Sequence, residues 1–358
     1  LKSLGSEAAL VSFHELDSGV VALVVADGRV QSTRIAASVR AIDTLAVELS
    51  TTIRQRRNAD KPLRAAYSAL IEPFQASLVG KKALLLVPDG ELGTVPFEAL
   101  LDTKGQRLIE QYEVRYLPAI ALLAEQPSRG KAAGLFAMAD PVYARLGSLQ
   151  PARLPDTKEE VEEIEKAVKG ASSVWLGTDA SETKLKSLDL KKFGYVHLAT
   201  HGVLAGEVAG YLEPGLLLSK TAADDGVLTM TEAQQLKLSA KLAVLSACDT
   251  GRGERIVGEG ALSISRAFLL AGAEAVLVSL WPVDSVATKE LMVALYAELA
   301  AGTPPAQALQ RVKLKMLKDD ASAPPPPEPR GLVLESVKPQ PASYGHPFYW
   351  SAFVLVGG

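Results

Sequence analysis

Short, unbroken apolar runs separated by helically spaced stretches limit this chain more than any other feature. Lys81 to Val87 continues after its two lysines as Ala-Leu-Leu-Leu-Val and stops at Pro88-Asp89-Gly90. Gly134 to Ala139, Ser173 to Leu176, Tyr195 to Ala199, Lys241 to Ala247 and Ala275 to Leu280 have the same character. A strand that is apolar on both faces lies inside a sheet covered on both sides. Between these runs, 156–168, 259–271, 285–300 and 305–318 carry apolar residues at helical spacing. Strands alternating with helices predict an α/β fold, a mostly parallel sheet with helices on both faces.

Composition removes other classes. With 48% hydrophobic and 22% charged residues, the chain of 358 is not disordered overall. A net charge of −3 argues against a general nucleic-acid binder. One cysteine excludes a disulfide framework and a cysteine-rich zinc module, and fits a reducing, cytoplasmic setting. No metal or cofactor is expected. No basic-flanked apolar segment marks a signal peptide. The most apolar stretch, Ala267 to Val283, holds Glu274 and Gly272 and closes on Trp281-Pro282, so it reads as a buried helix and strand and not as a membrane span. The first residue is Leu1, so further domains are expected upstream.

Punctuation divides the chain. Asp27-Gly28 between Val20–Ala26 and Arg29–Ile35 predicts a hairpin. Helices are expected over 37–57 and 61–78, a strand over 112–117, and a short helix over 181–188. The polar, turn-rich stretch 125–133 marks a boundary between units of 1–125 and 131–358. Asp156 or Thr157 is the expected cap of the helix that follows. Between 319 and 343 a proline-rich stretch reads as an extended loop, and Phe348–Val356 as the closing strand.

Ligands of open parallel sheets sit outside the carboxyl ends of the strands. Behind Tyr195–Ala199 comes Thr200-His201-Gly202, and behind Lys241–Ala247 comes Cys248-Asp249-Thr250-Gly251. Two strand ends thus deliver an imidazole and the sole thiol. A thiol is largely protonated at neutral pH, and a neighbouring imidazole can take its proton. Gly202 leaves room for a backbone N–H to approach a substrate carbonyl, and with the N–H of Cys248 it would form an oxyanion hole. The segment Gly251-Arg252-Gly253 would form a lip of that cleft. The letters leave Cys248 open between nucleophile and small buried hydrophobe. His197, inside its strand, reads as structural, as do His14 and His346. The pair His197 and His201 has a zinc-like spacing for a helix but falls on a strand and its end, which argues against a metal.

The runs His197-Leu-Ala-Thr-His201-Gly202, Leu245-Ser-Ala-Cys248-Asp-Thr-Gly251 and Gly258-Glu-Gly260 resemble a CHAT domain. So do Ala271-Gly-Ala273, Ser279-Leu-Trp281-Pro-Val-Asp284 and His346-Pro-Phe-Tyr-Trp350-Ser-Ala-Phe353. The resemblance covers about 80–358 and implies a caspase-like cysteine peptidase related to separase. It implies a three-layer α/β/α sandwich as the catalytic unit, preceded by a smaller non-catalytic α/β unit. It also implies a dyad of His201 and Cys248. Relatives of this kind commonly carry tetratricopeptide repeats upstream and act in bacterial defence, where a signal releases cleavage of a partner protein. The implied partners are therefore a protein substrate and an upstream repeat region or sensor, with no nucleic acid and no membrane. Where many members have two acids after Trp-Pro-Val, this chain has Asp284 followed by Ser285. In such folds the end of the first strand lines the P1 pocket. By strand count that residue is Asp140, which would favour a basic P1 side chain or else simply start a turn with Pro141. Asp249 and Glu259 are rival acids, and an apolar P1 stays open. The competing class is a catalytically silent caspase-like scaffold or binding module.

Overall fold

The computed structural model describes residues 4–123, 132–208, 210–249, 257–282, 285–318 and 344–358, with the backbone alone for 247–249 and 257–261. The Gly251-Arg252-Gly253 lip, Val283-Asp284 and the proline-rich 319–343 lie outside the described residues.

The N-terminal part opens with β1 (Ala8–Leu16), β2 (Gly19–Ala26) and β3 (Arg29–Arg34), an antiparallel meander. Its expected turn is present: Asp27 and Gly28 both take positive φ, 52° and 70°, as a two-residue primed turn requires. Helices α1 (Val39–Arg54) and α2 (Asp60–Leu70) follow. The helix expected over 61–78 stops short. Pro73 restricts Glu72, and Phe74 is non-helical, so 72–78 is a distorted 3-10 stretch. Then come β4 (Ala83–Val87), α3 (Leu108–Gln111) and β5 (Glu113–Tyr116).

The second part runs β6 (Leu135–Ala139), α4 (Asp156–Ala167), β7 (Ser172–Leu176), α5 (Glu182–Ser187) and β8 (Tyr195–Val203). It continues through β9 (Gly215–Leu217), β10 (Val227–Thr229), α6 (Met230–Gln235), β11 (Leu242–Asp249), α7 (Val257–Leu270) and β12 (Ala275–Ser279). Helices α8 (Ser285–Ala300), α9 (Pro305–Lys318) and α10 (Pro347–Trp350) precede β13 (Phe353–Gly357). The final strand is therefore shorter than expected. Pro347 at the first helical position and His346 as its cap turn the start of that segment into helix. Neither Asp156 nor Thr157 caps α4: Pro155 precedes it without a side-chain bond, and Thr157 is used elsewhere.

Among the described residues, all 13 strands belong to one mixed, mostly parallel sheet. Its centre runs β6-β8-β11-β12-β13-β5-β4-β1, and within that run the β12–β13 pairing alone is antiparallel, so the strands on either side of it point in opposite directions. β13 joins the two parts by pairing β12 on one side and β5 on the other. The crossover through α4 leads from β6 outward to β7, whereas that through α7 leads from β11 inward to β12. Right-handed crossovers in opposite directions put α4 and α7 on opposite faces, giving three layers.

Buried polar groups tie the layers together. Lys313 of α9 donates to the Glu98 carboxylate and to the carbonyl of Phe353, and its side chain is 0% exposed. Burial pushes the Glu98 carboxyl up and the Lys313 ammonium down, while each draws the other back towards its charged form. His197 is buried with both ring nitrogens occupied, Nε2 3.1 Å from Glu160 of α4 and Nδ1 3.2 Å from the Tyr296 hydroxyl of α8. That makes it the structural histidine the sequence suggests. His14 bonds to Ser12, also within the fold.

His346 gives a pH prediction. Its Nδ1 accepts the Phe348 N–H, so it is unprotonated, and Nε2–H donates to the Arg57 carbonyl. Burial lowers its pKa below the ordinary 6.5. With the folded value below the unfolded one, its contribution is complete above about pH 6.5 and is lost as pH falls through the folded value. Unfolding midpoints measured between pH 7.5 and 5 should fall on acidification. His346→Asn keeps a capping side chain without titrating, so it should flatten that fall. An unchanged slope in the variant would assign the pH dependence to other groups.

Candidate active site

The crossover direction reverses between β6 and β8, and the carboxyl ends of strands at such a point form a crevice. Asp140 follows β6 there, and β8 carries Thr200, His201 and Gly202. β8 runs four residues beyond the expected Ala199, and β11 two beyond Ala247. The extension has a cause. β9, which overlaps the short Leu216-Leu217-Leu218 run and is not among the expected strands, pairs Gly202 and Val203 antiparallel, and β11 continues alongside. His201 and Cys248 therefore lie within strands and not in the loops after them.

Their register is direct. On the adjacent parallel strands β8 and β11, Cys248 pairs with His201 and Asp249 with Gly202. Neighbouring strands are about 4.8 Å apart. Gly202 also faces Leu216 of β9. Glu259 falls in the first turn of α7, which leaves the end of the same strand β11 by way of 250–256. The side chains of Cys248, Asp249 and Glu259 lie outside the described residues.

His201 is 6% exposed. Its Nε2 lies 2.8 Å from the carbonyl oxygen of Ala152. A carbonyl only accepts, so Nε2 carries the proton, and in the neutral ring the lone pair sits on Nδ1. The Tyr143 ring packs against the imidazole with centroids 5.0 Å apart. Thr200 spends its hydroxyl proton on the Leu217 carbonyl, so the Tyr143 hydroxyl, 3.0 Å away, donates to Thr200. Burial raises the Tyr143 pKa far above the ordinary phenol value, so it stays a neutral donor. Tyr143, Val203, Val208, Leu217 and Val227 form a small apolar cluster of their own beside the histidine.

Asp140 takes positive φ, 48°. Its amide donates to Thr157 Oγ1 at 2.9 Å, and its carboxylate accepts both Nε and Nη2 of Arg153, at 2.8 and 2.5 Å. The acid proposed for the P1 pocket is thus already paired within the chain. Tyr143, Ala152 and Arg153 were not foreseen. A backbone carbonyl has no letter to read, and nothing in the spacing of Arg153 from Asp140 marks a pair. Among the described residues, no three His, Cys, Asp or Glu groups gather as a metal site. A depression of about 480 Å³ between α5 and α6, lined by Lys186, Lys191 and Glu232 among others, includes none of these candidates.

Known proteins resemble this chain at three levels. Tetratricopeptide repeat protein 28 of Mus musculus is 28% identical over 355 aligned residues, covering 85% of this chain and 13% of that protein. Its Homo sapiens counterpart is 27% identical with the same coverage, so the chain spans only 13% of the length of these relatives. Among solved structures, the Saccharomyces cerevisiae separase–securin complex aligns at a TM-score of 0.49 and 8% identity. That alignment covers 99% of this chain and 30% of the other. The Arg-specific cysteine proteinase gingipain R aligns at 0.44 and 9% identity, covering 88% and 73%. Residues 60–358 match the model of the CHAT domain, and the chain belongs to the CHAT domain family.

Proposed function

We propose that this chain is a cysteine endopeptidase in which Cys248 is the nucleophile and His201 the base. The observation that carries the reading is the direct register of Cys248 against His201 on the adjacent parallel strands β11 and β8, next to the switch point between β6 and β8. The imidazole is held in the tautomer a base needs, with its Nε2 proton committed to Ala152.

In the proposed reaction, His201 Nδ1 takes the Cys248 thiol proton. The thiolate attacks the scissile carbonyl carbon and a C–S bond forms. The carbonyl electron pair moves to oxygen, where the Gly202 and Cys248 N–H groups would receive it; a donor of this kind is worth roughly 3–4 kcal/mol. When the pair returns, the C–N bond breaks and the amine leaves with the proton from Nδ1. Water, deprotonated by the same nitrogen, then attacks the thioester, the C–S bond breaks, and the thiol is restored.

A basic P1 side chain remains part of this reading, through Asp140 with Asp249 and Glu259 as neighbouring acids, but it would take Asp140 only in exchange for Arg153. The setting carried over from the resemblance is cleavage of a partner protein. Upstream repeats or a sensor would release it, as in bacterial defence, in the cytoplasm. Among the described residues no helix is long and apolar enough to cross a membrane.

Peptidyl acyloxymethyl ketones with Arg or Leu at P1 test both parts. The expected result is a covalent mass increase at Cys248, at least tenfold faster with Arg, and none in His201→Ala. Faster labelling by the Leu probe would leave Asp140 to Arg153 alone. Equal labelling of wild type and His201→Ala would contradict the dyad.

A further inference from the structure

The loop from Pro141 to Pro155 reaches His201 through the Tyr143 ring and through the carbonyl oxygen of Ala152, which alone meets a ring nitrogen of His201 at hydrogen-bond distance among the described residues of that loop. That oxygen and the amide nitrogen of Arg153 share one rigid peptide plane. The side chain leaving the far side of that plane is clamped: Arg153 Nε and Nη2 hold both oxygens of Asp140, at 2.8 and 2.5 Å. Asp140 is itself fixed at the end of β6. It is 8% exposed and its N–H is bound to Thr157 Oγ1. Thr157 in turn donates to the carbonyl of Leu154, inside the same loop. The chain from β6 to the imidazole is therefore Asp140, Arg153, the 152–153 peptide plane, His201.

An ordinary surface ion pair does little for stability, and the Arg153 side chain is 50% exposed. The fork geometry of this pair does something else. A guanidinium bound at two atoms fixes orientation as well as distance, which a lysine ammonium does not. Orientation is what the Ala152 carbonyl needs. If its plane turns, Nε2 loses its acceptor, and the imidazole is no longer held with its lone pair on Nδ1.

We propose that Arg153 is a positioning residue: its bidentate hold on Asp140 fixes the Ala152 carbonyl and, through it, the tautomer and orientation of His201. The inference rests on the cysteine-peptidase reading, and it assigns Asp140 to setting the base in the substrate-free chain, through a contact that a basic P1 side chain would have to replace. Among the described residues, the groups facing His201 include the Ala152 carbonyl and Tyr143, with Thr200 and Asp140 behind them.

The test uses the sole cysteine of the full chain as its reporter. Iodoacetamide alkylation of Cys248 is followed by intact mass from pH 5 to 9 in wild type, His201→Ala, Arg153→Gln, Arg153→Lys and Asp140→Asn, with melting temperatures recorded in parallel. In wild type the rate should rise through an inflection well below that of an ordinary thiol. Arg153→Gln and Asp140→Asn should lose at least tenfold in rate at pH 6 and move the inflection towards that of His201→Ala. Arg153→Lys should recover only part, and melting temperatures should hardly change. If His201→Ala shifts the profile while Arg153→Gln keeps that of wild type, the positioning role is overturned and the dyad stands. If His201→Ala leaves the profile unchanged, the dyad reading falls and this inference with it.

Discussion

Lys313→Ala should destabilise the protein by about 3–5 kcal/mol, the usual result of stripping one partner from a buried ion pair. The substitution strands the Glu98 carboxylate, in a side chain 3% exposed, and leaves the Phe353 carbonyl without its ammonium donor. The location enlarges the consequence. Glu98 lies in the N-terminal part, Lys313 on α9 and Phe353 at the start of β13, the strand that joins the two parts of the sheet. Hydrogen exchange should therefore show lost protection in β5 and β12 together. The double variant Lys313→Met with Glu98→Leu replaces the pair by apolar groups of similar size and should recover most of the loss. Denaturant midpoints of the three proteins check this. A loss below about 1 kcal/mol in the single variant would mean that water reaches Glu98 and that the pair is not a structural tie.

The second large effect is on activity. Cys248→Ala should abolish cleavage, because it removes the sole thiol of the chain and with it the proposed nucleophile. His201→Ala should lower the rate by about 10²- to 10⁴-fold, the usual contribution of a positioned base. Neither variant should unfold the chain. His201 touches the fold through Ala152 and the Tyr143 ring, whereas the large buried polar ties lie elsewhere, at Lys313 and at His197 with Glu160. Single-turnover cleavage of a labelled substrate, with circular dichroism of each variant, separates lost chemistry from lost structure.

The parallel core was legible because buried strands leave a coarse signature. Ala83–Val87 and Ala275–Ser279 are apolar at nearly every position, and helices α8 and α9 have the bounds their spacing predicts. Local chemistry was legible too, as in the Asp27-Gly28 turn. Pairings between distant segments were not. β13 links β12 to β5 across more than two hundred residues, and its letters look like those of any buried strand. As a result, the two segments divided at 125–133 share one sheet, while the division into a supporting and a catalytic unit stays a proposal. β9 and β10 are three residues each, too short to show a period. At the candidate site, His201 and Cys248 stood out through their motifs. Their partner did not, since the Ala152 carbonyl is backbone and reaches His201 only because the 141–155 loop folds back from β6.

The central claim is that Cys248 and His201 form a working peptidase dyad. Its most direct test is to incubate the wild-type chain and Cys248→Ala with a whole proteome and to sequence the new amino termini. A set of termini present with wild type and absent with Cys248→Ala, sharing a residue preference on their amino-terminal side, is the predicted result. The same termini appearing with both proteins would contradict the assignment of Cys248 as nucleophile.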